Sequence, residues 1–207
     1  MERRDNYLIQ REAAKKHFLT FDQNRILACW NLAHDDQSIF VTFFGKRYRI
    51  CRATGDVLRE TDGSQAGFSE VLSIFDLLCY ASRRPAASPS FAPVNSLTGR
   101  PPAAGISTTG MYASYAQKFG RDTEAFRTAC TQEGGIPVTA GDIGFQFSVF
   151  ADLQLLLKFY EADEEFPPQL LLLWNENALE YAQYETIFYM QGYLLERISC
   201  CPHLRVI

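Results

Sequence analysis

An alternation of apolar and polar residues between positions 145 and 159 constrains the fold of this chain more than any other feature. Every odd-numbered residue in this stretch is apolar, whereas the even-numbered positions include Gln146, Ser148 and Lys158. Side chains of a β-strand point alternately to the two faces of a sheet, so a period of two predicts β-structure with one buried face. Residues 170–174, which end in Trp174, are wholly apolar and predict a strand buried on both faces.

A β-meander is predicted upstream, where Ile39, Val41 and Phe43 alternate with their neighbours and Gly45 and Gly55 mark the turns. Helical spacing of apolar residues occupies other segments, at residues 7–30, 68–84, 112–130 and 185–199. We therefore predict an α+β fold in which an antiparallel β-sheet, built from the meander and the long C-terminal strands, is covered by helices.

The length of 207 residues predicts a single globular domain over residues 1–207. Within it, residues 85–110 are rich in Pro, Gly and Ser and are too long for an ordinary connection. This loop is interpreted either as a functional loop or as a mobile connector. Arg100 lies in it beside several glycines, and such a loop can hold an anion through backbone N–H groups, although a surface connector is the favoured interpretation.

Charge and hydropathy exclude several classes of protein. A net charge of −4 argues against nucleic-acid binding, which normally requires a basic face. No apolar run of about 18 residues is present, so no membrane span is expected. The chain begins without an apolar signal region, so a cytoplasmic location is expected, and there the six cysteines would be reduced thiols.

An acidic segment separates the two most apolar stretches of the chain. It contains four carboxylates: Glu161, Asp163, Glu164 and Glu165. Pro167 and Pro168 follow, lack the N–H groups of a sheet ladder and favour a turn between two strands. The alternative is a site, because clustered carboxylates are what Mg²⁺ or Ca²⁺ would need. These four residues, with Arg100 and Trp174, are the candidate ligand-binding residues.

No motif in the sequence assigns a catalytic residue. The nucleophile elbow, the Walker A loop and the dinucleotide-binding fingerprint do not occur. Cys200, Cys201 and His203 form at most half of a zinc site, and a structural zinc needs four ligands. We therefore expect neither a metal nor a cofactor.

Several segments together resemble a bacterial and archaeal family catalogued as domain of unknown function 3786. In chain order these segments are FVTFFGKRYRICRATGDVL, LLCYASRR, LTG, EADEEFPP and LLLLWNENALEYAQYETIFYM. The resemblance implies a cytoplasmic protein, frequent in anaerobes, whose family has no assigned activity. Some members resemble fusions with an iron–sulfur segment, which implies work near corrinoid or iron–sulfur redox proteins. This chain departs from them, because it has no Cys-x-x-Cys set.

Two hypotheses about function follow. The preferred one is a binding module for a small ligand or a protein partner, serving as an accessory of anaerobic metabolism. The alternative is a carboxylate-based enzyme, dependent on a divalent metal, that uses the acidic segment at 161–165. In that case Asp163, Glu164 and Glu165 would be metal ligands or acid–base groups, aided by Arg100.

Overall fold

Helices and antiparallel strands alternate in blocks along the chain, which confirms the predicted α+β class. The computed structural model describes residues 2–98 and 108–204. Its α-helices are α1 (Glu2–Thr20), α2 (Gln23–Trp30), α3 (Phe68–Tyr80), α4 (Thr108–Met111), α5 (Ala113–Phe119), α6 (Thr123–Gln132) and α7 (Tyr184–Cys200). Its strands are β1 (Ser38–Phe43), β2 (Lys46–Cys51), β3 (Val57–Arg59), β4 (Phe91–Pro93), β5 (Ile136–Pro137), β6 (Ile143–Phe150), β7 (Leu153–Tyr160) and β8 (Gln169–Asn175).

The strands form two antiparallel sheets, so the meander and the C-terminal strands do not share one sheet. The meander is a three-stranded sheet in the order β1-β2-β3, and the later strands pair in the order β4-β8-β7-β6-β5. Within the described ranges, no helix is long and apolar enough to cross a membrane.

The packing of the chain divides it into two compact units. The first unit comprises Met1–Ala86 with Glu180–Met190, and the second comprises Ala87–Leu179 with Gln191–Ile207. Helix α7 therefore contributes its first residues to one unit and its remaining residues to the other. The expectation of a single domain over residues 1–207 stays a prediction.

A buried carboxylate joins the sheet of the first unit to α3. Glu70 is 3% exposed, and its Oε1 accepts hydrogen bonds from the Tyr48 hydroxyl at 2.6 Å and from Arg59 Nε at 2.9 Å. Its Oε2 accepts from Arg59 Nη2 and from the backbone N–H of Gly67, just before the first turn of α3. The charge is thus compensated by the guanidinium of Arg59 and by two further donors, the Tyr48 hydroxyl and the Gly67 N–H, as a buried carboxylate requires.

Helix α1 packs against α3 in the same unit. The rings of Phe18 and Phe75 stack with centroids 4.6 Å apart, and both side chains are buried. Stacked aromatic pairs add to the stabilisation that burial of their apolar surface provides. This contact positions the two helices whose neighbouring residues line the groove described below.

The long alternating segment forms the β6–β7 hairpin of the second unit. Opposite residues are Phe147 with Leu155 and Ser148 with Gln154, and after an irregularity at Val149, Phe150 with Leu153. The two-residue turn alone would pair odd positions with even ones. The extra residue at the bulge shifts the register by one. Because of this shift, odd-numbered residues of both strands share one buried face, and the odd-numbered positions remain apolar on both sides of the turn.

Aromatic rings from α5 and α6 cover that face. Phe119 and Phe126 stack at 4.5 Å, and Phe126 contacts Phe159 of β7 at 5.3 Å. All three side chains are fully buried. In the adjacent strand β8, the side chains of Leu170, Leu172 and Trp174 are buried, whereas Leu171 and Leu173 are only half-buried. The prediction that residues 170–174 are buried on both faces is therefore wrong, since a run of leucines carries no period that distinguishes the faces.

We expect Glu70→Ala to lower the free energy of unfolding by about 3 kcal/mol, because it leaves the guanidinium of Arg59 and the hydroxyl of Tyr48 without their shared acceptor. Urea unfolding followed by circular dichroism measures this loss. The matched control is Glu60→Ala, which removes an ion pair to the exposed Arg47 and should cost less than about 1 kcal/mol. Equal losses in the two variants would contradict the role given to Glu70.

Candidate functional site

A groove of about 680 Å³ lies within the first unit, between α1, α3 and the start of α7. Ligand pockets commonly measure about 300–1,000 Å³ and combine apolar walls with a few polar groups. The lining follows that description: Ala13, Ala14, Leu72 and Phe75 are apolar, and polar side chains are interspersed among them. It is the candidate functional site of this chain.

Helical spacing explains how α1 and α3 build two walls of the groove. Gln10, Ala13, Ala14 and His17 follow the spacing i, i+3, i+4 and i+7 along α1. Residues at these intervals lie on one face of a helix. Two alanines at the centre of the α1 stripe are too small to fill the space in front of them, which leaves room for a ligand.

The stripe on α3 has the same spacing and consists of Leu72, Phe75, Asp76 and Cys79. All four lie in the segment 68–84 for which helical spacing of apolar residues was predicted. The structure buries Phe75 and leaves Cys79 half-buried on the wall of the groove. The α3 stripe therefore serves the core and the groove together.

Asp76 anchors the third wall of the groove, which is the start of α7. Its Oδ2 accepts a hydrogen bond from the backbone N–H of Gln183 at 2.8 Å, and its Oδ1 accepts one from the Gln183 side-chain amide at 2.9 Å. Gln183 immediately precedes α7, and its carbonyl oxygen accepts from the N–H of Thr186 in the first turn. A carboxylate at this position also interacts favourably with the positive end of the helix dipole. Asp76 thereby positions the start of α7 at the groove.

The charged groups of the groove are mostly acidic. Asp76 and Glu185 supply two carboxylates, and His17 is the one basic side chain among the described residues of the lining. Glu185 is exposed and forms no hydrogen bond or ion pair with the described residues. The ring of His17 meets Phe21 edge-to-face, with centroids 4.9 Å apart. An acidic, partly aromatic surface favours cations over anions.

Cys79 is the one thiol in the described lining, and it is protonated. Burial raises its pKa to about 12, and the nearby Asp76 carboxylate acts in the same direction. The thiolate, not the thiol, is the reactive form of cysteine. The Cys79 thiol is therefore a poor nucleophile near neutral pH.

The acidic segment is a turn in the second unit. Strand β7 ends at Tyr160 and β8 begins at Gln169, and the two strands pair directly. Asp163 Oδ1 accepts from the backbone N–H groups of Glu165 at 2.8 Å and Phe166 at 2.7 Å, and its own N–H donates to the Phe166 carbonyl. The four carboxylate residues are all exposed: Glu161, Asp163, Glu164 and Glu165. This is the geometry that the turn interpretation predicts, and ligand binding by these residues stays a prediction.

The remaining predicted site residues lie elsewhere. Trp174 is fully buried in β8, opposite Leu155 and away from the acidic turn that follows β7. Arg100 lies outside the described residues. Across residues 2–98 and 108–204, no group of three or more His, Cys, Asp or Glu side chains is arranged to hold a metal ion. Among the predicted residues that the structure describes, only the acidic four lie together.

We expect Cys79 to react slowly with iodoacetamide at pH 8, because a pKa of about 12 leaves roughly one thiolate per ten thousand molecules. The exposed Cys200 should be modified first. The rate at Cys79 should rise about tenfold per pH unit, since the thiolate fraction rises in that proportion below the pKa. Peptide mass spectrometry over a pH series measures these rates. Rapid, pH-independent alkylation of Cys79 would contradict the protonated thiol.

We expect Glu164→Gln and Glu165→Gln each to change the free energy of unfolding by less than about 0.5 kcal/mol, as exposed substitutions do. Asp163→Ala should cost about 1 kcal/mol, because it removes the acceptor of two backbone N–H groups. Urea unfolding measures all three variants. A stabilisation by Mg²⁺ or Ca²⁺ that disappears in the two Glu→Gln variants would instead favour a metal site.

Comparison with known proteins gives a family for this chain. The family described as "Domain of unknown function (DUF3786)" matches residues 22–197, which is most of the sequence. No curated protein and no solved structure matches the chain. The match begins at the residue before α2 and extends into the last turn of α7, so it includes the α3 and α7 walls of the groove. The predicted resemblance is confirmed, and the chain belongs to this family.

Proposed function

We propose that this protein is a small-ligand-binding module and that the groove of the first unit is its binding site. The observation that carries the proposal is the groove of about 680 Å³, with apolar walls and a few polar groups. Small-molecule sites have this size and composition. Two walls come from the paired helices α1 and α3, and the third is held by the hydrogen bonds of Asp76.

Binding is preferred to catalysis on chemical grounds. A nucleophilic mechanism needs a nucleophile within hydrogen-bond reach of a base. In the groove, no hydrogen bond joins Cys79 to His17 or to Asp76 among the described residues. Because the Cys79 thiol is also protonated, these side chains act as lining.

The wider role is also a proposal. We infer a cytoplasmic accessory of anaerobic metabolism that works with iron–sulfur or corrinoid proteins, on the basis of the family resemblance alone. The alternative, a carboxylate-based enzyme using residues 161–165, has weaker support. The Oδ1 of Asp163 already accepts two hydrogen bonds within its own turn, and all four carboxylate residues are exposed.

A thermal-shift panel on reduced, metal-free protein tests the binding proposal. The panel contains divalent cations, nucleotides, corrinoids, and organic cations, neutral compounds and anions small enough for the groove. A ligand present at a hundred times its Kd stabilises by about 2.7 kcal/mol, which raises the Tm of a chain of this size by roughly 5–10 °C. We expect at least one organic compound to give such a rise.

Ala13→Trp is the variant that assigns the rise to the groove. Ala13 is exposed and lines the groove, so an indole there occupies the space without crowding the core. The matched control is Ala162→Trp, in the exposed turn of the second unit. A shift lost in Ala13→Trp and kept in Ala162→Trp is the expected result. A panel without any shift, or a shift that Ala13→Trp retains, would show that the groove is not the site.

A further inference from the structure

We propose that the ligand of the groove is an organic ammonium ion whose nitrogen carries apolar groups. This inference rests on the proposed function, because it assigns a chemical class to the ligand of the same groove. Three features of the lining support it: two carboxylates, four aromatic rings and a helix start that is already capped by an acid.

The carboxylates of Asp76 and Glu185 give the groove negative charge, which favours a positively charged ligand. They stand on different elements, α3 and the first turn of α7, and both line the groove. The described lining contains neither lysine nor arginine that would neutralise them. Both oxygens of Asp76 accept a hydrogen bond from Gln183, and Asp76 forms no ion pair with any described residue. A bound cation would supply that compensation.

Aromatic side chains make the groove suitable for an alkylated cation. Four of them line it: Phe21, Phe75, Tyr80 and Tyr189. Tyr80 is 47% exposed and Tyr189 is 37% exposed, so these rings have surface available to a ligand. An edge-to-face contact with Phe68, at 5.7 Å between centroids, positions the ring of Tyr189. Aromatic faces attract quaternary and alkylated ammonium ions, which lose little hydration on binding.

An anionic ligand is disfavoured at the start of α7. The start of α7 opens on the groove, and the N-terminus of a helix normally binds anions. Here the carboxylate of Asp76 already lies at the N-terminus of α7, where it accepts a hydrogen bond from the backbone N–H of Gln183. Glu185 adds a second negative charge in the first turn. The groove would therefore repel a phosphate or a carboxylate.

A pair of probes with the same shape isolates the effect of charge. (4-Hydroxyphenyl)trimethylammonium and 4-tert-butylphenol differ only in the exchange of a charged nitrogen for a carbon. We expect the cation to bind at least about tenfold more tightly than the neutral isostere, the preference that a desolvated cation–π site with a nearby carboxylate provides. Titration followed by heteronuclear NMR gives both affinities, even in the millimolar range.

Glu185→Gln tests the carboxylate with little risk to the fold, because Glu185 is exposed and forms no hydrogen bond with the described residues. It should weaken binding of the cation about fivefold, by loss of one charge near the ligand, and leave 4-tert-butylphenol unchanged. Asp76→Asn should act in the same direction. The matched control is Glu164→Gln, which makes the same change in net charge in the second unit and should alter neither affinity.

The outcomes separate this inference from the proposed function. If both probes bind equally well and Ala13→Trp abolishes both, the groove is a binding site and the ammonium class is wrong. If the cation is preferred but Ala13→Trp or Glu185→Gln leaves its affinity unchanged, the cation binds elsewhere and the inference is wrong. If neither probe binds, the ammonium class is wrong, and the thermal-shift panel decides the proposed function by itself.

Discussion

Four hydrogen-bond donations converge on the buried carboxylate of Glu70, and the first unit depends on them. Through Tyr48 and Arg59 they fix two strands of the meander against the start of α3. A buried charge without such partners would cost several kcal/mol, so this arrangement strongly favours one position of the helix over others. The positions of the α3 residues that line the groove therefore depend on the hydrogen bonds of Glu70.

The groove follows from the packing of α3 against two other segments. The stacking of Phe18 on Phe75 brings α1 close, while Ala13 and Ala14 leave the space between the helices unfilled. Asp76 then holds the residue that precedes α7. A site built on helices and supported by hydrogen bonds is more rigid than one built on loops. Small residues beside a fixed carboxylate thus leave open the groove that we propose as the binding site.

The acidic turn and the groove show how differently carboxylates can be used. In the turn, Asp163 satisfies backbone N–H groups of its own loop, and its neighbours are exposed to water, which screens their charges. In the groove, the half-buried Asp76 and the exposed Glu185 come from different elements and line the same space as four aromatic rings. Because Asp76 is half-buried, water screens its charge less than it screens the exposed acids of the turn. The density of acids in the sequence is therefore a poorer guide to a site than their surroundings.

Much of the fold could be predicted from local patterns. The alternation at 145–159 predicted β-structure with one buried face, and the proline pair after Glu165 predicted a turn. The bulge at Val149 could not be predicted from the sequence, because the odd-numbered positions are apolar both before and after the turn. The division into two sheets could not be predicted either. Periodicity indicates the face to which a side chain points, but it does not indicate which strands pair with each other. Of the predicted site residues, Trp174 proved to be a core residue of β8.

The sequence by itself determined the α+β class, the family and the position of the acidic turn, because each depends on residues close together along the chain. Only the tertiary structure decided where a ligand could bind. The walls of the groove come from residues 10–21, 72–80 and 183–189, which no short motif connects. Their polar members look like ordinary surface residues of three helices. They line one cavity only because buried contacts, above all those of Glu70 and Phe75, hold the helices at the distance that leaves it open.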